Sequence, residues 1–355
     1  MADAYRVEVL VIEPIGDADL SRIGAVDPKV HVVDARGWFD GEIRDTWPAW
    51  AVQRYLGERQ FPQSSRAERD RLLENAQVIF GGWPFPLDLR RRAPRLRWFH
   101  QRPAGASNLL QGDLWGSDVL VTTSRGYANS RPMAEYVLGM FLHFARGLHH
   151  AGRDRQRGQL DHRAYRPILL QGKTACVIGT GGIGREVGKA CADFGMRVVG
   201  TRNSVSPGAA NPAGFESVHA PERLLELLSE SHFVAVCCQW TPATNKLIGA
   251  RALAAMRPET VLVNVARGEI IDEDALLAAL DSGKLRGVGL DVYVGEFERA
   301  PDPRLWQHDR VLITPHVSGG TDRPQHRGID VFCDNLRAFL DDRPLTNRID
   351  WRRGY

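Results

Sequence analysis

A glycine-rich turn set between a strand and a helix constrains this chain more than any other feature. Thr174 to Ile178 is a short apolar strand pattern, Gly179, Gly181 and Gly184 follow it as G-x-G-x-x-G, and Ile183 to Phe194 reads as a helix closed by Gly195. In that setting glycine lets the main chain turn tightly and approach a pyrophosphate, and it lets the helix pack closely on the strand. Main-chain N–H groups near Gly182 and Ile183, at the positive end of the helix, would stabilise the pyrophosphate charge. The turn predicts a dinucleotide site made by Gly179, Gly181, Gly182, Ile183 and Gly184.

The surrounding pattern agrees with that reading. After Thr174–Ile178, strands are expected at 197–200, 233–238, 261–265, 287–292 and 311–314, mostly separated by helices, which makes six strands of a doubly wound fold. The first third alternates strand-like runs at 5–13, 30–35, 77–80, 97–100 and 119–123 with polar helical stretches, which implies a second parallel sheet. With 355 residues, two cores are expected. The boundaries read as 1–129 plus 319–355 for a substrate domain and 130–318 for the dinucleotide-binding domain. The stretch 36–65, with Trp38, Trp47, Pro48 and Trp50, has no clear period and reads as a long insertion. From Ser130, Met133, Val137, Met140, Phe141, Phe144 and Leu148 recur at helical spacing as one long amphipathic helix. A last helix, roughly 325–340, is expected to return to the first domain.

Composition narrows the classes of function. The net charge of +3 is small and the arginines are scattered, so nucleic acid is not implied. The run Arg90, Arg91, Arg92, Arg95 and Arg97 reads as a solvated face, with a phosphate patch as the alternative. Five cysteines without C-x-x-C spacing suggest reduced thiols in a cytoplasmic protein and no zinc site. Charged residues interrupt the N-terminus, and no apolar run is long enough to span a membrane, so neither a signal peptide nor a membrane partner is expected. His143, His149 and His150 would hold a metal only if a carboxylate joined them. No metal is expected.

At the end of the second strand of the dinucleotide domain, an acid would bind the ribose 2′-hydroxyl of NAD. Here the chain reads Thr201, Arg202, Asn203, Ser204 instead. An arginine offers a fork of donors suited to a 2′-phosphate, so Arg202 and Asn203 favour NADP(H). The alternative is a solvent-facing arginine that also tolerates NAD(H).

Three further segments, VNVARGEIID (263–272), GLDVYVGE (289–296) and LITPHVSGG (312–320), join VIGTGGIG (177–184) and TPAT (241–244). Together they resemble the D-isomer-specific 2-hydroxyacid dehydrogenases, and the resemblance covers nearly the whole chain. It implies a Rossmann-type domain inserted into a flavodoxin-like substrate domain. It also implies hydride transfer between a nicotinamide cofactor and a small 2-keto or D-2-hydroxy acid of the glyoxylate or hydroxypyruvate class. Residue by residue, it puts the substrate-polarising arginine at Arg267, the assisting carboxylate at Glu296 and the acid/base histidine at His316. That chemistry is sensible: a histidine can protonate a developing alkoxide, a carboxylate can orient the imidazole, and a guanidinium can hold a substrate carboxylate. Taken singly, each of the three could be an ordinary loop or surface charge.

The resemblance further implies that Asp291, with the main chain at Val265, holds the nicotinamide carboxamide, and that Gly319 borders the cofactor. Main-chain amides at Ala104, Gly105 and Ala106 would meet the substrate carboxylate. The chain departs from the family at Pro103, where glycine is common, at Gln239 and Trp240 before the Thr-Pro pair, and at Phe297, where proline is usual. Arg102 would meet a second anionic group of the substrate or face solvent. The helix after Ser130 is expected to build a homodimer. Two rival readings are a dinucleotide-sensing corepressor-like binding protein and a phosphite- or formate-type dehydrogenase.

Overall fold

A computed structural model describes residues 6–58, 60–126, 130–204, 210–322 and 327–354. The expected boundary at residue 129, the strand start at Tyr5 and the helix start at Gln325 lie outside the described residues. By its contacts the chain divides into two compact units, Met1–Ala128 with Arg323–Tyr355, and Asn129–Asp322.

The first unit is built on a five-stranded parallel sheet. Its strands are β1 (Val7–Val11), β2 (Val30–Asp34), β3 (Val78–Gly81), β4 (Trp98–Gln101) and β5 (Leu120–Thr123), in the order β2-β1-β3-β4-β5. Alternation along each strand feeds two cores, because successive side chains point to opposite faces. Val7, Val9 and Val11 join Val78, Phe80 and Trp98 on one face, while Leu10, Ile79 and Phe99 join the other. The helix Arg327–Leu340 lays Ile329, Phe332, Cys333, Leu336 and Phe339 on the first of these faces. Ile329, Phe332 or Cys333, Leu336 and Phe339 recur every three or four residues, which is the stripe a helix needs to cover a sheet. The tail then adds a short antiparallel pairing to β5, where the Ile349 N–H reaches the Val121 carbonyl at 2.8 Å.

Two sequence expectations change here. The stretch 36–65 folds into two short helices, Asp40–Thr46 and Ala49–Tyr55, whose Ile43, Trp47 and Ala51 are core residues. The Trp47 indole donates to the Phe85 carbonyl at 2.7 Å, so the stretch is part of the core of this unit. The arginine run is partly a buried ion network. Arg92, 8% exposed, pairs with Glu42, Asp70 and Asp88, while Arg90 pairs with Asp118 and Arg91 with Asp88. Among the described residues Arg90, Arg91 and Arg92 thus each have an acidic partner, which disfavours a phosphate patch at these three.

The second unit has seven parallel strands, one more than the sequence pattern predicts. They are β6 (Thr174–Ile178), β7 (Arg197–Thr201), β8 (Ser217–His219), β9 (Phe233–Val236), β10 (Thr260–Asn264), β11 (Leu285–Leu290) and β12 (Val311–Ile313). Their order, β12-β11-β10-β9-β6-β7-β8, is the Rossmann order with β12 added at one edge. The extra strand, β8, is three half-buried residues long, too short to show a period. The order reverses between β6 and β9, and ligands of such sheets bind beyond the strand ends at that point.

The helix Ser130–Ala145 lies on this sheet. A Cβ at Gly287 would overlap the Phe144 ring, and one at Gly289 would lie 3.0 Å from Met140 Cγ, so β11 is glycine-rich where the helix approaches. The apolar stripe expected to make a dimer is therefore used within its own unit. Leu148, Leu160 and Leu169, which follow the helix in sequence, are exposed. Among the described residues no helix is long and apolar enough to cross a membrane, and no cluster of three or more His, Cys, Asp or Glu is arranged to hold a metal. His143, His149 and His150 lie together by their ring contacts, but no such carboxylate completes a site. All five cysteines are free, and burial pushes the Cys176, Cys191 and Cys238 thiols up to about 12.

Candidate active site

The glycine turn has the geometry a dinucleotide requires. Gly179 has φ +93°, a conformation L side chains rarely adopt, and its Cβ would lie 2.6 Å from Cys238 Cα on the loop after β9. The N–H groups of Gly179 and Thr180 both donate to the Thr201 carbonyl, at 3.1 and 3.2 Å, which ties the turn to the end of β7. A Cβ at Gly184 would overlap the Gly179 carbonyl, so only glycine lets the helix Gly182–Asp193 start there. Gly181 caps that helix, is exposed, and has open space where its Cβ would point. Its surroundings fit the close approach of a pyrophosphate to the first amides of the helix, at Gly182 and Ile183.

Beyond β7, Arg202, Asn203 and Ser204 are exposed. The Arg202 N–H is fixed by the His219 carbonyl of β8 at 2.9 Å. Among the described residues its guanidinium has no acidic partner.

His316 and Glu296 meet. The His316 Nδ1 lies 3.1 Å from each Glu296 carboxylate oxygen, and the carboxylate is 3% exposed against 28% for the imidazole. Nε2, the nitrogen facing away from Glu296, has no partner among the described residues. His316 has φ +55°, and its N–H is held by the carbonyls of Asp291 and Thr314, each at 3.0 Å.

Asp291, placed just after β11, holds that loop. Its buried carboxylate accepts from the Thr314 hydroxyl at 2.6 Å, the Val317 N–H at 2.8 Å and the Ser318 N–H at 2.9 Å. Because Thr314 donates to Asp291, the Tyr136 hydroxyl, 2.6 Å from Thr314 Oγ1, is the donor in that pair. Burial is the main cause of the upward shift of the Tyr136 pKa. The chain Tyr136, Thr314, Asp291 thus runs from the long helix to the histidine loop.

Arg267 follows β10, where buried Asn264 shapes the turn. The Asn264 side chain donates to the Arg267 carbonyl at 2.8 Å and accepts from the Ala266 N–H at 3.0 Å. A Cβ at Gly268 would overlap the main chain of Tyr293, so this glycine brings the Arg267 turn against the segment that carries Glu296. Between them sits Glu269. Burial raises its carboxyl pKa most, the charge of Glu296 raises it further, and Arg267 opposes the rise. Val265 is buried, with its N–H 3.3 Å from the Val236 carbonyl, and Gly319 is half-buried on the histidine loop.

The expected substrate loop belongs to the first unit. The buried Gln101 side chain donates to the Gly105 carbonyl at 2.8 Å and folds the loop back. The N–H groups of Ala104, Gly105 and Ala106 have no acceptor among the described residues. Arg102, with its side chain 38% exposed, is paired with Glu13 at 2.8 Å, a partner that neither reading of the sequence named.

Sequence reasoning missed Tyr136, Thr314, Asn264, Glu269 and Glu13. Asn264 and Glu269 flank Arg267 inside a motif already singled out, so they were within reach. Tyr136 and Glu13 act across the fold, and no local signal marks them.

Residues 138–318 match the family described as D-isomer specific 2-hydroxyacid dehydrogenase, NAD binding domain. A glyoxylate reductase of Thermococcus gammatolerans is 32% identical over 81% of this chain and 86% of that protein. The chain is a D-isomer-specific 2-hydroxyacid dehydrogenase family member. A D-3-phosphoglycerate dehydrogenase of Methanocaldococcus jannaschii is 31% identical over 74% of this chain, which spans 49% of that relative's length. The crystal structure of a D-isomer specific 2-hydroxyacid dehydrogenase from Xanthobacter autotrophicus Py2, in complex with NADPH and MES, matches with a TM-score of 0.75. It is 28% identical and covers 99% of this chain and 100% of that one. Several of the curated relatives are about twice as long as the matched region, since the chain covers 49% and 51% of two of them. Within this family the second unit is the NAD-binding domain.

Proposed function

We propose that this family member is an NADPH-preferring reductase that converts a small 2-keto acid, of the glyoxylate or hydroxypyruvate class, to the D-2-hydroxy acid. The observation that carries the proposal is the His316–Glu296 pair, with two 3.1 Å contacts at Nδ1 and an Nε2 that has no partner among the described residues. When bound, the reduced nicotinamide supplies the hydride. His316 Nε2 gives the carbonyl oxygen its proton as negative charge grows there. Glu296 fixes the ring and stabilises the cationic imidazole between turnovers. Arg267 holds the substrate carboxylate and polarises the carbonyl. The amides at Ala104, Gly105 and Ala106 have hydrogen-bonding capacity to spare, which supports their assignment to the carboxylate as well.

Arg202 supports the cofactor preference, as an exposed guanidinium that has no acidic partner among the described residues and follows the strand where a 2′-phosphate would lie. The NADPH complex of the Xanthobacter relative supports it too. The named relatives are dehydrogenases and reductases, which favours catalysis over a binding-protein role. A homodimer remains the proposed assembly, with Leu148, Leu160 and Leu169 as its apolar surface.

The test is loss of NADPH absorbance when the purified protein meets glyoxylate or hydroxypyruvate. Turnover with NADPH faster than with NADH supports the proposal. A flat trace across a panel of 2-keto acids, with either cofactor, refutes it.

A further inference from the structure

We propose that Glu13 is a specificity-determining residue that neutralises Arg102 and so restricts the substrate's far end to uncharged polar groups, disfavouring a second anion. The proposal rests on the 2-keto-acid reading above and names the substrate class within it.

The pair occupies the place where a sheet of this type binds ligands. In the order β2-β1-β3-β4-β5 the strand order reverses between the parallel strands β1 and β3, which opens a crevice beyond their carboxyl ends. Glu13 stands two residues past β1, Gly82 one past β3 and Arg102 one past β4. The Arg102 N–H donates to the Gly81 carbonyl at 2.9 Å, and its Nη1 reaches Glu13 Oε1 at 2.8 Å. A Cβ at Gly82 would overlap the Glu13 carboxylate, so the absence of a side chain there makes room for the acid. The pair is not sealed in the core, because the Arg102 side chain is 38% exposed and that of Glu13 16%.

Its distance from the carboxylate-binding amides suits a short substrate. Only Pro103 separates Arg102 from Ala104, so their main chains are at most about 7 Å apart even when extended. An unpaired arginine so close would attract a phosphate or second carboxylate on the substrate. The Glu13 charge offsets that attraction and repels a second anion beside it, while the guanidinium N–H groups of Arg102 that do not face Glu13 still serve a hydroxyl. Hydroxypyruvate fits such a site, and its 3-phosphate ester does not.

The experiment compares hydroxypyruvate with 3-phosphohydroxypyruvate in the full-length protein. In the wild type, kcat/KM should favour hydroxypyruvate by at least about tenfold. Glu13→Gln, close in shape, should move that ratio at least about tenfold toward the phosphorylated acid, and adding Arg102→Gln should remove the gain. A wild type that prefers the phosphorylated acid, or a Glu13→Gln ratio within about twofold of wild type, overturns the proposal. Calorimetric binding of D-glycerate and 3-phospho-D-glycerate, with saturating NADP, needs no turnover. If no keto acid is reduced, the 2-keto-acid reading fails, and this binding comparison decides the role of Glu13. Tighter 3-phosphoglycerate binding by Glu13→Gln supports the role, and unchanged or undetectable binding overturns it.

Discussion

Replacing Asp291 with asparagine separates two roles for that residue, holding the histidine loop and holding the nicotinamide carboxamide. The carboxylate accepts from three donors, at Thr314, Val317 and Ser318. An asparagine amide has one acceptor oxygen, so in either orientation its NH2 faces a main-chain or hydroxyl donor. One buried donor then goes unpaired, at a cost of about 1–3 kcal/mol. The same loop keeps His316 at φ +55°, a conformation that costs about 1–2 kcal/mol for an L residue outside a supporting fold. If the loop relaxes to avoid the unpaired donor, His316 leaves its contact with Glu296, and the loss appears in the chemical step. At 1.4 kcal/mol per decade, about 1–3 kcal/mol corresponds to a fall in kcat of about 5- to 150-fold. Tyr136→Phe removes one outer hydrogen bond of about 0.5–1.5 kcal/mol and should cost only about two- to tenfold. The assay is steady-state kinetics combined with a fluorescence titration of NADPH. Loop-holding predicts lower kcat with NADPH affinity unchanged. Weaker NADPH binding with kcat within about twofold of wild type would refute the argument and return Asp291 to the nicotinamide.

Two other predictions concern separate parts of the chain. Arg202→Ala should raise KM for NADPH by about 5- to 30-fold, the loss of one exposed charge-assisted contact, and leave KM for NADH nearly unchanged. Equal effects on the two cofactors would remove Arg202 from the 2′-phosphate. His100 is fully buried between Phe80 and Phe332, and burial pushes its pKa down to about 3. The unfolded chain takes up a proton below about pH 6.5 and the folded one does not, so stability falls as pH drops from about 6.5 toward 3. By about pH 5 this histidine should have cost about 2 kcal/mol relative to about pH 7.5. Urea unfolding of wild type and His100→Gln checks this, and identical pH slopes would contradict it.

Much of this was legible in the sequence, for identifiable reasons. The turn Gly179–Gly184 is legible because Gly179 takes a positive φ and Gly184 packs against the Gly179 carbonyl, two demands that only glycine meets and that a sequence records directly. The inner strands of both sheets, such as β3, β4, β6, β9, β10 and β11, are legible because they are buried on two faces and read as apolar runs. The stripe on Ser130–Ala145 was read correctly as apolar, but periodicity cannot say what a stripe faces, and it faces its own sheet. β8 was missed because three half-buried residues carry no period. The pairs Glu13–Arg102 and Tyr136–Thr314 join positions 89 and 178 residues apart, and only the fold brings them together. The helices of 36–65 were obscured by tryptophans that bury into a core assembled from distant strands.

The central claim is that His316 supplies the proton while taking little part in cofactor binding. It is tested by single-turnover reduction of glyoxylate by His316→Ala, alongside an NADPH titration of the same protein. NADPH affinity within about twofold of wild type, with the chemical step slowed by about 100- to 10,000-fold, is the predicted result. A chemical step at near wild-type speed would contradict it.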